Sequence, residues 1–278
     1  MSQQQATRHY YDTHPINVEQ ILDAIQKRGI DLADISEDTL QEYDQDHYGG
    51  SDATTLLARK AGIEAHHRVL DVCSGMGGPA RWLAHRYGCW VSGIDFTESR
   101  YHGARRLTEL AKLDQLVDFH LGDATQMPFA DASFDIVIGQ EAWVHVPDKT
   151  RLIAECARVC KPGGVIAFTD ILKTAALTVY EQAQLEHDMT YASIASAADY
   201  QRLLGQAGFT LLEHDDLGRH WAEILKQRLA MYRGLREPTV QKFGAAHFAH
   251  WDRTYSFFVS LFQTGHMSGG RFVARRGR

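Results

Sequence analysis

Three carboxylates stand where short apolar runs end: Asp71, Asp95 and Asp123. Asp71 precedes a glycine-rich turn, Ser74-Gly75-Met76-Gly77-Gly78. Missing side chains there let a ligand approach the backbone. Pro79 then opens a helical spacing whose first N–H groups have no intrahelical partner. Asp95 follows the turn at the spacing of an acid that holds a ribose diol. Asp123, with Ala124, offers an acceptor suited to an adenine amino group. The pattern Gly75-x-Gly77-x-x-Ala80 also satisfies a dinucleotide fingerprint, so hydride transfer has to be weighed. Asp71 counts against it. A negative charge before a pyrophosphate cradle is electrostatically wrong, and it suits a cationic or amino end instead. The ligand implied has an amino-acid end, a ribose and an adenine.

A second group lies further on, at Gln140-Glu141-Ala142-Trp143-Val144-His145. An imidazole ordinarily titrates near pH 6.5, so His145 can take a proton from a nucleophile directly or through water. An earlier stretch, Tyr43 to Gly50, is dense in hydrogen-bonding and aromatic groups and ends in two glycines.

These residues need a scaffold. Strand signals at 68–72, 89–94, 117–121, 134–139, 165–170 and 209–213 alternate with helical spacings at 79–87, 98–111, 149–159 and 199–207. That alternation predicts an α/β fold with a doubly wound, mostly parallel sheet, whose ligands sit beyond the carboxyl ends of the strands. Val18, Ile21, Leu22 and Ile25 make one apolar face in residues 1–50, which read as an N-terminal helical lid. The core is expected over 51–172 and 199–213. Residues 173–198 and 214–266 read as helical cap insertions, and 267–278 as a last strand.

The chain has 278 residues, 44% hydrophobic and 23% charged, with a formal charge of −6. That balance argues against a nucleic-acid partner, which would want a basic face. The arginines at 271, 275, 276 and 278 are expected on a solvated terminal strand. No apolar run is long enough to span a membrane, and Met1 to Tyr10 lacks an apolar signal core, so a cytoplasmic protein is expected. Cys156 and Cys160 share a helical face without a second ligand pair, so no metal is expected.

Val69 to Gly77, Gly93-Ile94-Asp95, Gly122-Asp123-Ala124, Phe134-Asp135 and Arg158 to Gly164 together resemble the successive motifs of class I S-adenosylmethionine-dependent methyltransferases. The resemblance covers roughly residues 50–215, and Cys73 departs from it where the family often has a glycine. It implies a seven-stranded Rossmann-like methyltransferase sheet, with S-adenosylmethionine as donor and a small molecule as methyl acceptor. Gly75 and Gly77 would pass close to the methionyl part, with Asp71 near its amino group. Asp95 would bind the ribose, Asp123 and Ala124 would frame the adenine, and Ser74 and Gln140 would complete the donor contacts.

The 140–149 stretch is similar to sarcosine/dimethylglycine N-methyltransferases and, more distantly, to phosphoethanolamine methyltransferases. That likeness implies a catalytic His145 partnered by a tyrosine of the N-terminal segment, for which Tyr48 is the candidate. Substrate contacts are expected from Tyr48, Glu141, Trp143, Tyr191, Arg219 and Trp221. The function expected is N-methylation of a small amine or amino acid by a monomer or homodimer. The alternatives are O- or C-methylation of a quinone or secondary metabolite, and donor binding without chemistry.

Overall fold

The computed structural model describes residues 3–12, 16–191 and 193–278. A seven-stranded sheet runs through it in the order β3-β2-β1-β4-β5-β7-β6. The strands are β1 (Arg68–Val72), β2 (Trp90–Asp95), β3 (Val117–Leu121), β4 (Phe134–Gln140), β5 (Cys160–Lys173), β6 (Phe209–Asp216) and β7 (Met267–Arg276). The first five pair in parallel, and β7 runs antiparallel between β5 and β6. The strand expected at the chain's basic end is thus an interior one. Arg271 is largely buried and donates to Asp215 at 2.9 Å, and Arg276 donates to the Cys160 carbonyl. Solvation of that stretch as a whole is corrected accordingly.

The helices are α1 (Gln3–Asp12), α2 (Val18–Lys27), α3 (Glu37–Leu40), α4 (Gly50–Ala61), α5 (Gly78–Tyr87), α6 (Glu98–Leu110), α7 (Lys149–Val159), α8 (Val179–Met189), α9 (Ala197–Gln206), α10 (Gly218–Gly234), α11 (Arg236–Phe243) and α12 (Ala245–Gln263). Leu57, Ala80, Leu83 and Ala104 cover one face of the sheet, while Leu152, Ile153, Tyr200 and Leu204 cover the other. Residues β-branched or apolar on both faces, such as Val69, Leu70 and Val72, are what a two-sided parallel strand requires.

The helix α2 buries Ile21, Leu22 and Ile25 against Leu107 and Met76. Its N-terminus is capped by Asn17, whose side chain accepts from the Gln20 N–H at 3.1 Å. A third apolar layer lies beyond the carboxyl ends of β4 and β5. There Leu185, Trp221, Leu225, Phe258 and Phe262 pack on Val144 and Ile171.

The glycine loop is braced from behind. Arg81 on α5 is fully buried. Its Nη1 donates to the Met76 carbonyl at 2.7 Å and its Nε to Glu37 at 3.1 Å, while Nη2 pairs with Asp44. Burial raises both acids, Glu37 to about 8, and Arg81 opposes that rise. Removing the cation would leave two buried carboxyls without it. Arg81→Met is therefore expected to lower unfolding free energy by roughly 3–5 kcal/mol. Denaturant unfolding measures this directly, and a loss under about 1 kcal/mol would refute the bracing role.

Candidate active site

The carboxyl ends of β1, β2 and β4 open on a cavity of about 300 Å³. Its wall includes Asp71, Ser74, Gly75, Asp95, Asp123, Ala124, Gln140, Glu141 and His145. After β1 the backbone turns sharply, with Cys73 at φ 64°, Gly75 at 54° and Gly77 at 77°. Left-handed backbone at Cys73 explains why a glycine suits this position. Gly77 does not line the cavity. A Cβ there would lie 2.3 Å from the Phe119 ring, so glycine permits the loop to close on β3.

Asp95 holds the loop from the front. Its carboxylate accepts from the Gly75 N–H at 2.9 Å and from the Thr97 N–H at 2.8 Å. Asp71 is enclosed, and its Oδ2 has no hydrogen-bond partner among the described residues; the same holds for Ser74 Oγ. Burial, and then the Asp95 charge, push Asp71 up to about 7. A buried acceptor of this kind fits an ammonium group, which supplies both the missing donor and the compensating charge. Asp123 accepts from the Thr125 N–H and hydroxyl, both at 2.8 Å. Gln140 accepts from the Thr54 hydroxyl at 3.0 Å and neighbours His47, which burial lowers to about 4 and so keeps neutral.

The other wall is set by β4 and β5. Glu141 adopts φ 57°, a strained conformation of the kind that collects at working sites. Burial lifts its carboxyl to about 8; it accepts from the Tyr48 N–H and from the Thr169 hydroxyl at 3.1 Å. A 3-10 turn, Trp143–His145, follows, and Asp170 fixes it by accepting from the Val144 N–H at 3.1 Å. Asp170 also accepts from the Tyr200 hydroxyl at 2.6 Å.

His145 Nδ1 lies 3.2 Å from the Thr190 carbonyl and Nε2 lies 2.9 Å from the Tyr11 hydroxyl. The Thr190 hydroxyl also lies 3.1 Å from Nδ1; the carbonyl, which only accepts, favours the tautomer with the proton on Nδ1, in which Nε2 accepts from Tyr11. Burial holds the Tyr11 phenol well above its ordinary value, so it stays a neutral donor. Tyr191 stands edge-on to the imidazole, with ring centres 5.2 Å apart.

Four expectations are corrected here. The tyrosine on His145 is Tyr11, not Tyr48. The Tyr48 ring packs instead on Trp221, 5.0 Å between centres, with the Arg228 guanidinium 4.9 Å from it. Trp143 is fully buried in the core, stacked on Phe168, with Nε1 donating to the Val72 carbonyl. In a 3-10 turn successive side chains step about 120° apart, so Trp143 and His145 diverge. Arg219 is exposed on α10, turned from the face that buries Trp221 and Leu225. Trp221 itself is core, under Gly269, where a Cβ would meet its ring at 2.1 Å.

Two residues of the site went unnoticed in the sequence: Tyr11 and Arg100. Arg100 reads there as one more charge on a polar helix. Among the described residues no group of His, Cys, Asp and Glu is placed to hold a metal, and no helix is long and apolar enough to cross a membrane.

A methyltransferase-domain model matches residues 70–168. The chain is 32% identical over 204 residues to a 27-O-demethylrifamycin SV methyltransferase of Amycolatopsis mediterranei, covering 71% of this chain and 75% of that one. It is 30% identical over 174 residues to a glycine/sarcosine/dimethylglycine N-methyltransferase of Actinopolyspora halophila, covering 61% of this chain and 31% of the other. Several curated relatives, the Actinopolyspora protein among them, are thus spanned over less than two thirds of their length. The fold matches phosphoethanolamine N-methyltransferase 2 of Haemonchus contortus, solved with S-adenosyl-L-methionine. That match has a TM-score of 0.79 at 18% identity and covers all of this chain and 60% of the other. The chain belongs to the S-adenosylmethionine-dependent methyltransferase family.

Proposed function

We propose that the protein methylates the nitrogen of a small amine or amino acid. The observation that carries this is the relay Tyr11–His145–Thr190 at the wall of an acid-lined cavity. The donor, when bound, supplies a methyl group already activated on a sulfonium, so transfer is an in-line displacement. The residues present need only align the nucleophile and remove its proton. Alignment of this kind is worth effective molarities of ~10⁵–10⁸ M. Tyr11 accepts the amine's proton as its own passes to His145 Nε2. Thr190 keeps the imidazole oriented. The helix α1, which brings Tyr11 to the cavity, acts as a lid. A cavity rich in carboxyls favours a cationic donor and an amine over a phosphorylated acceptor.

O-methylation is a second reading, favoured by the likeness to the rifamycin enzyme. The same relay would deprotonate a hydroxyl. Incubation with methyl-labelled donor and a panel of sarcosine, dimethylglycine, phosphoethanolamine, phenols and quinones separates them. Label on sarcosine or dimethylglycine nitrogen is expected. Label found on hydroxyls alone, or on phosphoethanolamine in preference to the amino acids, would overturn the N-methyl reading.

A further inference from the structure

Two oxygens of Thr190 lie within reach of His145 Nδ1, and they suit opposite tautomers. The carbonyl accepts from a protonated Nδ1 and leaves Nε2 open to Tyr11. The hydroxyl can donate to a bare Nδ1, which puts the ring proton on Nε2. In that second arrangement Nε2 donates to Tyr11 and can take no proton from it. The direction of the relay is therefore set by how the backbone presents Thr190.

That backbone is strained. Thr190 is buried and caps α8 at φ 55°, a left-handed conformation that is costly for a β-branched residue and persists only where the surroundings fix it. Lys149, the first residue of α7, supplies such a contact. Its side chain is buried, and Nζ donates to the Val146 carbonyl and to the Ser193 carbonyl, both at 2.7 Å. One ammonium thus ties the residue that closes the 3-10 turn of His145 to a residue just beyond Thr190. The Ser193 N–H reinforces the tie by donating to the Val144 carbonyl at 3.3 Å. Burial lowers the Lys149 ammonium to about 8, and Asp170, which holds the Val144 N–H, opposes that fall. A buried ammonium adds little net stability, because its desolvation offsets its contacts. Its value lies in what it holds in place.

We infer that Lys149 is a positioning residue for the relay: by pinning Ser193 beside the 3-10 turn it presents the Thr190 carbonyl, rather than the hydroxyl, to His145, and so keeps Nε2 open to the Tyr11 proton. This rests on the relay reading above.

Nitrogen-15 spectra of histidine-labelled protein at about pH 7.5, where an imidazole is ordinarily neutral, read the tautomer directly. The His145 signals are assigned by their loss in His145→Ala. Wild type is expected to carry the proton on Nδ1, and Lys149→Met to carry it partly or wholly on Nε2. An imidazole unchanged in Lys149→Met would overturn the inference. In turnover, Lys149→Met is expected to lower kcat roughly tenfold, with the acceptor's KM and the affinity for S-adenosylhomocysteine within about twofold of wild type. Added to His145→Ala, the same substitution should cost nothing further, since no tautomer is left to set. An equal loss in both backgrounds would mark a merely structural residue and overturn the inference as well. Should Lys149→Met not fold, Lys149→Gln, which keeps an N–H donor, carries the same comparisons. His145→Ala at wild-type turnover would instead sink the relay reading, while the spectra still show whether Lys149 sets the tautomer.

Discussion

His145→Ala is expected to lower kcat by roughly 10²–10⁴-fold, the range of a positioned acid–base group. In the proposed reaction the imidazole is the sink of the relay. With its Nδ1 proton held by the Thr190 carbonyl, its only remaining site is Nε2, and Tyr11 occupies that site. Alanine removes the imidazole that accepts from the Tyr11 hydroxyl. The phenol cannot ionise in compensation, because burial holds it neutral. Donor affinity should stay within about twofold, since the groups fitted to the donor's amino end and ribose lie on β1, β2 and the glycine loop. Tyr11→Phe should reproduce most of the loss while leaving the imidazole in place. Single-turnover rates with saturating donor, alongside calorimetric binding of S-adenosylhomocysteine, test both. Turnover unchanged in His145→Ala would remove the relay from the mechanism.

Asp71→Asn should do the opposite and act on the donor. Its buried carboxyl ionises near pH 7 in the ligand-free protein, because burial and Asp95 disfavour the charge. An ammonium ligand needs that charge. Wild-type affinity for S-adenosylhomocysteine should therefore fall as pH drops below about 7, by about tenfold per unit at the limit. Asparagine should bind at least about tenfold more weakly at pH 8 and lose most of that slope. Stability shifts the other way. The folded protein holds a proton on Asp71 up to about 7, whereas the unfolded chain releases it near 3.8. The folded state binds more protons across that window, so stability falls as pH rises through it, and the penalty is complete above about 7. Ligand-free Asp71→Asn should thus melt higher than wild type at pH 8 and match it below about pH 4. A variant that bound donor normally at pH 8 would refute the ammonium site.

The donor half was legible because it is local. Each acid lies at or just beyond the end of one strand, and the glycine loop follows Asp71 by a few residues. Strand periodicity and turn chemistry place such groups without knowledge of the whole chain. The acceptor half depends on contacts that no spacing encodes. Tyr11 and His145 are 134 residues apart. Nothing in the polar sequence of α1 marks its tyrosine over Tyr48, which sits nearer in sequence and beside two glycines. Trp143 was misread for a different reason. A short run beside a candidate catalytic histidine looks like one surface until the 3-10 turn sends alternate side chains apart. Arg219 and Trp221 show the same limit on α10, where only the packed face reveals which residue is core.

The helices α10 to α12 leave the sheet and return to it at one place. Asp216 and Gly270 are register partners on β6 and β7, and the Leu217 N–H donates to the Gly269 carbonyl at 2.8 Å. In effect they form an oversized hairpin loop, anchored by the β6–β7 ladder. The entropy of closing such a loop grows only with the logarithm of its length, about 0.6 kcal/mol per doubling. Segments of different length can be closed between those two anchor points at little entropic cost, provided they still cover Val144 and Ile171. The wall of the cavity would keep its residues through such an exchange, since none of them lies on α10 to α12.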